Sequence, residues 1–139
     1  MARLLVVDDE KNIRQSLGRF LESCKHEVRT AENGRAALAA VTEGPPYDLV
    51  LSDWKMAEMN GLELLKAIKE KVPDTIVILM TAYGTIDNAV AAMKAGAYDY
   101  LTKPFSLDQI HHTVERALEV RELLAESGAA RRNRRRAFT

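Results

Sequence analysis

Three acids in a row, Asp8, Asp9 and Glu10, follow the apolar run Leu4-Leu5-Val6-Val7. A further acid, Asp53, ends the apolar stretch "YDLVLSD" (Tyr47 to Asp53), Thr81 sits at the end of "TIVILMTA" (Thr75 to Ala82), and Lys103 ends "YDYLTK" (Tyr98 to Lys103). Carboxylates crowded at one place repel one another and raise each other's pKa unless a cation offsets the charge. Oxygen donors with positions left for water suit Mg2+, which binds through one or two carboxylates and keeps several waters. An ammonium and a hydroxyl beside such an ion make an environment for phosphate oxygens, with charge neutralised from more than one side. A carboxylate in that setting, Asp53, has the chemistry of a nucleophile that forms an acyl phosphate.

Each residue alone has a plainer reading. Acids after a strand often mark only a solvated helix start, favourable to the helix dipole. A single lysine is usually a surface lysine, and a single threonine a strand-end hydroxyl. The chemistry depends on four strand ends meeting, so the elements that carry them decide the matter.

Five apolar stretches alternate with helical patterns: "RLLVVD" (Arg3 to Asp8), "EVRTA" (Glu27 to Ala31), Tyr47 to Asp53, Thr75 to Ala82 and Tyr98 to Lys103. The first, third and fourth are continuous rather than alternating, as expected of parallel strands covered on both faces. Between them, apolar residues recur at the spacing of one helical face. The sets are Ile13, Leu17, Phe20, Leu21 and Cys24; Leu38 and Val41; Leu62, Leu65 and Ile68; Ile86, Val90 and Met93; and Ile110, Val114, Ala117 and Leu118, extending toward Leu124. Gly44-Pro45-Pro46 ends the second helix, Pro73 precedes the fourth strand, and Ser106-Leu107-Asp108-Gln109 reads as a capping box. Five β-α units predict a doubly wound α/β sheet with helices on both faces. In such a sheet ligands bind at the carboxyl ends of the strands, which is where Asp8, Asp9, Asp53, Thr81 and Lys103 fall.

The chain has 139 residues, enough for one domain with a real core. One cysteine, Cys24, fits a reducing compartment, and no apolar run is long enough to span a bilayer, so a cytoplasmic location without membrane association is expected. The net charge of zero hides an asymmetry: residues 127–139 carry five arginines and no acid, leaving 15 basic against 20 acidic residues before them. Residues 1–124 are expected to form the domain, and 125–139 a basic flexible tail or the start of a linker to an output domain.

Four motifs in order, "VVDDE" (Val6 to Glu10), "DLVLSDWKMAEMNGLELL" (Asp48 to Leu65), "ILMTAYG" (Ile78 to Gly84) and "AGAYDYLTKPF" (Ala95 to Phe105), resemble the receiver domain of bacterial two-component response regulators. The resemblance covers about residues 2–124, and the stretch from Met80 to Phe105 is most similar to receivers of NtrC-type enhancer-binding activators. It implies a flavodoxin-like (βα)5 fold, with Asp53 as phosphoacceptor taking its phosphoryl group from a sensor histidine kinase. It implies Mg2+ bound by Asp9 and Asp53 and the backbone carbonyl of Lys55, with Asp8 acting partly through water. Lys103 would contact the phosphoryl oxygens, Lys103-Pro104 would be a cis peptide, and Thr81 and Tyr100 would form a switch pair. The switched surface, the fourth helix, fifth strand and fifth helix, would engage an output domain or partner in transcription regulation, with a homodimer as one outcome. On this reading the chain is a signalling switch whose own activities are phosphotransfer and autodephosphorylation. The family commonly has proline four residues after the phosphoacceptor; Ala57 stands there, and a less rigid loop is expected. The family positions that tune dephosphorylation hold Lys55 and Tyr83, whose bulk predicts a long-lived phosphoryl group.

Other residues weigh against rival readings. An aspartate-nucleophile phosphatase of the haloacid dehalogenase type wants a second Asp two residues after the nucleophile, but Asp53 is followed by Trp54 and Lys55, and Asp8 by Asp9 and Glu10. A receiver-like module that binds partners without phosphate is expected to lose a reacting group, and none is missing. His111 and His112 point about 100° apart on a helix, which suits solvent better than a shared ligand. Trp54 is expected to lie partly exposed near the site. Cys24 is expected in the core, the methionines as core and loop filler, and Gly18 at a position that is either close-packed or merely tolerated. The arginine run lacks a base-reading motif, so specific nucleic-acid binding by this chain is not expected.

Overall fold

A computed structural model describes residues 2–82 and 84–123 in full, with the last helix traced as Leu107–Phe138. The expected tail, residues 125–139, and Tyr83 lie outside the fully described residues. The elements alternate as β1 (Arg3–Val7), α1 (Lys11–Ser23), β2 (Glu27–Ala31), α2 (Gly34–Glu43), β3 (Leu49–Asp53), α3 (Gly61–Lys71), β4 (Ile76–Thr81), α4 (Ile86–Lys94), β5 (Asp99–Thr102) and α5 (Leu107–Phe138).

All strands are parallel, in the order β2-β1-β3-β4-β5. The direction of strand addition reverses between β1 and β3, so the crevice of a doubly wound sheet opens there. The continuous apolar runs are explained by burial on both faces: every residue of β3 and β4 is buried. Leu4, Val6, Leu49, Leu51, Ile78 and Met80 pack on one side with Leu17 and Leu21 of α1 and Ile110 and Val114 of α5. Leu5, Val7, Val50, Val77 and Leu79 pack on the other with Val41 of α2, Leu64, Leu65 and Ile68 of α3, and Ala92 of α4. Strand β2 is an edge and mostly exposed, which matches the polar mixture in "EVRTA".

Side chains close the helix starts. Asn33 accepts from Ala36 N–H, Asn60 and Glu63 form a reciprocal capping box, and Thr85 accepts from Asn88 N–H. Ser106 Oγ accepts from Gln109 N–H at 3.1 Å, the capping contact expected there. Gly18 is buried, but a Cβ there would make only ordinary contact with Thr30 Cγ2 at 3.7 Å, so glycine is tolerated at this position rather than required by close packing.

Two expectations are corrected. The spacing of Ile86, Val90 and Met93 suggests a core face, yet they are 83%, 46% and 51% exposed. Helix α4 instead leans on the sheet through its alanines, with Ala92 fully buried, and small residues let it sit close without burying its larger ones. Cys24 is not a core residue either: it caps the C-terminus of α1 at intermediate burial, with Sγ 3.3 Å from His111 Nδ1. Both His111 and His112 are exposed, as expected. A non-local pair that the sequence gives no hint of lies nearby, His26 Nε2 to Glu115 Oε1 at 2.7 Å. Among the described residues no helix is long and apolar enough to cross a membrane.

Candidate functional site

The register of the sheet brings the strand ends together. β1 and β3 run side by side, and Asp53 at the end of β3 pairs with Met80, one residue before Thr81. Thr81 pairs with Thr102, which places Lys103 at the same rim, and Lys103 N–H donates to the Thr81 carbonyl at 2.7 Å. Asp8 continues β1, its N–H donating to the Ala31 carbonyl at 3.2 Å.

Carboxylate oxygens of Asp8, Asp9 and Asp53 lie within 4.8 Å of one another. Asp8 is fully buried, Asp53 nearly so, and Asp9 exposed. Lys103 Nζ stands 3.3 Å from Asp53 Oδ1 and 3.6 Å from Asp8 Oδ2, bridging the two buried acids. Asp53 Oδ1 also accepts from Trp54 N–H at 3.0 Å, and Asp8 Oδ1 from Glu10 N–H at 2.9 Å. Glu10 is the residue before α1 and makes no side-chain cap, so its part is the backbone contact to Asp8.

Electrostatics follow from this burial. Loss of water pushes the Asp8 carboxyl up to about 6, opposed by the Glu10 N–H and Lys103 and reinforced by Asp53 and Asp9. Burial raises Asp53 as well, with Lys103 acting against the rise. Asp8 Oδ2 is buried without a hydrogen bond. A buried acceptor without a hydrogen bond, beside a second buried carboxyl that also holds its proton more tightly than usual, is an environment that a hard cation would relieve. The donor set, all oxygen and partly open to water, fits Mg2+.

Next to the carboxylates, and sharing Thr81, lies a cleft of about 450 Å³ lined by Trp54, Lys55, Met56, Asn60, Thr81 and Asn88. Lys55, two residues after Asp53, lies on its wall. Trp54 is half-buried and stands edge-on to Tyr100, with ring centroids 5.8 Å apart and planes at 86°. Tyr100 is half-buried against the core layer of Leu5, Val7 and Leu79, while Thr81 stands buried at the rim. The loop that carries Lys55 and Ala57 is closed by Gly61, whose N–H donates to the Trp54 carbonyl at 2.7 Å. A Cβ at Gly61 would strike the Asp53 carbonyl and come within 2.9 Å of Trp54 Cα, so a side chain there cannot be accommodated without moving the phosphoacceptor candidate. The Lys103-Pro104 peptide is cis, as expected.

The structure thus gathers Asp8, Asp9, Asp53, Thr81 and Lys103, with Lys55 and Tyr100 adjoining. One residue that the motif reading passes over also reaches the site: Arg14 of α1, whose Nη1 donates to the Asp8 carbonyl at 2.8 Å. The only sequence signal for it was a cation about one turn into the helix that follows the acids.

Comparison with known proteins agrees with this arrangement. Residues 4–115 match the family model described as the response regulator receiver domain. The chain is 42% identical over 124 residues to the regulatory protein AtoC of Escherichia coli, covering 89% of this chain and 27% of that protein. It is 47% identical over 113 residues to the DNA-binding transcriptional regulator NtrC of Salmonella typhimurium, covering 81% and 24% respectively. It therefore spans about a quarter of the length of these relatives. A receiver domain protein from Clostridium thermocellum superposes with a TM-score of 0.84 at 37% identity, covering 89% of this chain and 99% of that one. The beryllofluoride-activated NtrC4 receiver domain dimer superposes with a TM-score of 0.82 at 38% identity, covering 87% and 99%. With the strand-end acids, the lysine and the flavodoxin-like sheet all in place, the chain belongs to the response regulator receiver family, in its NtrC-like branch.

Proposed function

We propose that the chain accepts a phosphoryl group on Asp53 from a phosphohistidine of a sensor histidine kinase and uses it to switch a partner-binding surface. The observation that carries the reading is the convergence of Asp8, Asp9 and Asp53 within 4.8 Å, with Lys103 Nζ bridging the two buried acids. An Asp53 carboxylate oxygen attacks phosphorus, the new bond is O–P, and the bond that breaks is P–N to the kinase imidazole. The side chains of Asp8, Asp9 and Asp53 and the Lys55 carbonyl would hold Mg2+, which when bound neutralises charge on the phosphoryl oxygens. Lys103 supplies the second cation and exchanges its contact with Asp53 for one to the phosphoryl group. The Trp54 N–H and the packed strand end keep the Asp53 carboxyl oriented.

Transmission runs through Thr81 and Tyr100. The Thr81 hydroxyl turns to the phosphoryl oxygen, and the Tyr100 ring, held edge-on to Trp54, moves inward into the vacated space. The responding surface is α4, β5 and α5, and the exposure of Ile86, Val90 and Met93 gives it an apolar patch suited to an output domain, a partner or a second copy. Lys55, a long cation on the cleft wall, would hinder an attacking water, which favours a long-lived phosphoryl group in a cytoplasmic two-component pathway.

Incubation with acetyl phosphate and Mg2+, followed by intact-mass measurement, tests the reading. Wild type should gain one phosphoryl group and Asp53→Asn none; gain by the variant, or none by wild type, overturns it.

A further inference from the structure

The geometry points to a positioning role for Arg14. Arg14 is half-buried on α1 and its Nη1 donates to the Asp8 carbonyl at 2.8 Å. That carbonyl belongs to the peptide joining Asp8 to Asp9, so the bond fixes the plane from which the Asp9 side chain departs. Among the described residues, the other side-chain hydrogen bonds that set the trio fall on its two buried members: Glu10 N–H on Asp8 Oδ1, and Trp54 N–H and Lys103 on Asp53 Oδ1. Asp9 is exposed, and its direction is inherited from its backbone. Arg14 therefore holds the exposed arm of the carboxylate trio in the place where a divalent cation would meet it, which rests on the Mg2+ reading above.

Charge and position make opposite predictions here. A guanidinium close to a cation site repels the cation, so by Coulomb's law alone its removal tightens Mg2+ binding. Loss of a partner that orients a metal ligand weakens binding, typically by about 10- to 100-fold. The sign of the change separates a bystander cation from a positioning residue.

The test is a Mg2+ titration of the whole chain, read from Trp54 fluorescence and from the Asp9 backbone amide resonance, for wild type, Arg14→Met and Arg14→Lys. Arg14→Met keeps most of the apolar stem but removes the donor and the charge; it should bind Mg2+ about 10-fold or more weakly. Its urea midpoint without Mg2+ should stay close to wild type, and Arg14→Lys, which keeps a donor, should recover part of the affinity. Arg14→Leu, which likewise removes the donor and the charge, takes the place of Arg14→Met if that variant does not fold. Unchanged or tighter Mg2+ binding by Arg14→Met, or a lysine variant no better than methionine, overturns the role of Arg14. Absence of saturable Mg2+ binding by wild type overturns the Mg2+ reading and this role together.

Discussion

Replacing Asp8 by asparagine should stabilise the metal-free protein at neutral pH, although it removes a residue proposed for the site. Asp8 is fully buried, its Oδ2 lacks a hydrogen bond, and it faces the Asp53 and Asp9 carboxylates with Lys103 at 3.6 Å as partial relief. Its carboxyl rises from 3.8 in the unfolded chain to about 6. Below about pH 4 both states hold the proton and the group contributes nothing. Between about pH 4 and 6 the unfolded chain releases the proton while the folded one retains it, so stability falls as pH rises. Above about pH 6 the folded state carries a buried charge costing at most about 3 kcal/mol. The raised carboxyl of Asp53 acts in the same direction. Asparagine keeps an acceptor for the Glu10 N–H but sets an amide against Lys103, which brings the expected gain to about 1–3 kcal/mol. Urea denaturation without Mg2+ should show Asp8→Asn more stable than wild type at about pH 7.5, with the gap closing toward about pH 4. Saturating Mg2+ should stabilise wild type and leave the variant nearly unchanged. A variant less stable than wild type at the higher pH, or a gap independent of pH, would refute the account of a strained, cation-seeking cluster.

Gly61→Ala should destabilise by about 1–3 kcal/mol, because the added Cβ meets backbone at Asp53 and Trp54 rather than a yielding side chain; a thermal melt within error of wild type contradicts this. Lys103→Met removes the ammonium bridging Asp53 and Asp8, so both carboxyls should titrate at higher pH than in wild type by carbon-detected NMR. Labelling of the same variant by acetyl phosphate should slow on the order of 100-fold; unchanged labelling would mean that Lys103 does not meet the phosphoryl group.

The central strands were legible because residues buried on both faces leave an uninterrupted apolar run, as in Leu49 to Leu51 and Ile76 to Met80. Once the parallel order was expected, strand-end position alone selected Asp8, Asp53, Thr81 and Lys103, which the sheet register brings to one rim. Helix α4 misled because helical spacing reports that apolar residues share a face, not which way the face points. Alanines carry too weak a hydropathy signal to reveal that Ala92 supplies the buried contact. Cys24 misled for a related reason: it falls on the apolar stripe of α1 but one residue past its last turn, where the chain has begun to leave the core. The reach of Arg14 back to the Asp8 carbonyl, and of His26 to Glu115, depends on tertiary approach and side-chain rotamer, which no periodicity records.

The most direct test of the account is to locate the phosphoryl group. After acetyl phosphate treatment with Mg2+, rapid acid digestion and peptide mass spectrometry should find the modification on the peptide carrying Asp53, and only when Mg2+ is supplied. Modification at Asp8 or Asp9, or labelling of Asp53 that is indifferent to chelation of Mg2+, would contradict the assignment of Asp53 as nucleophile within a Mg2+-holding carboxylate trio.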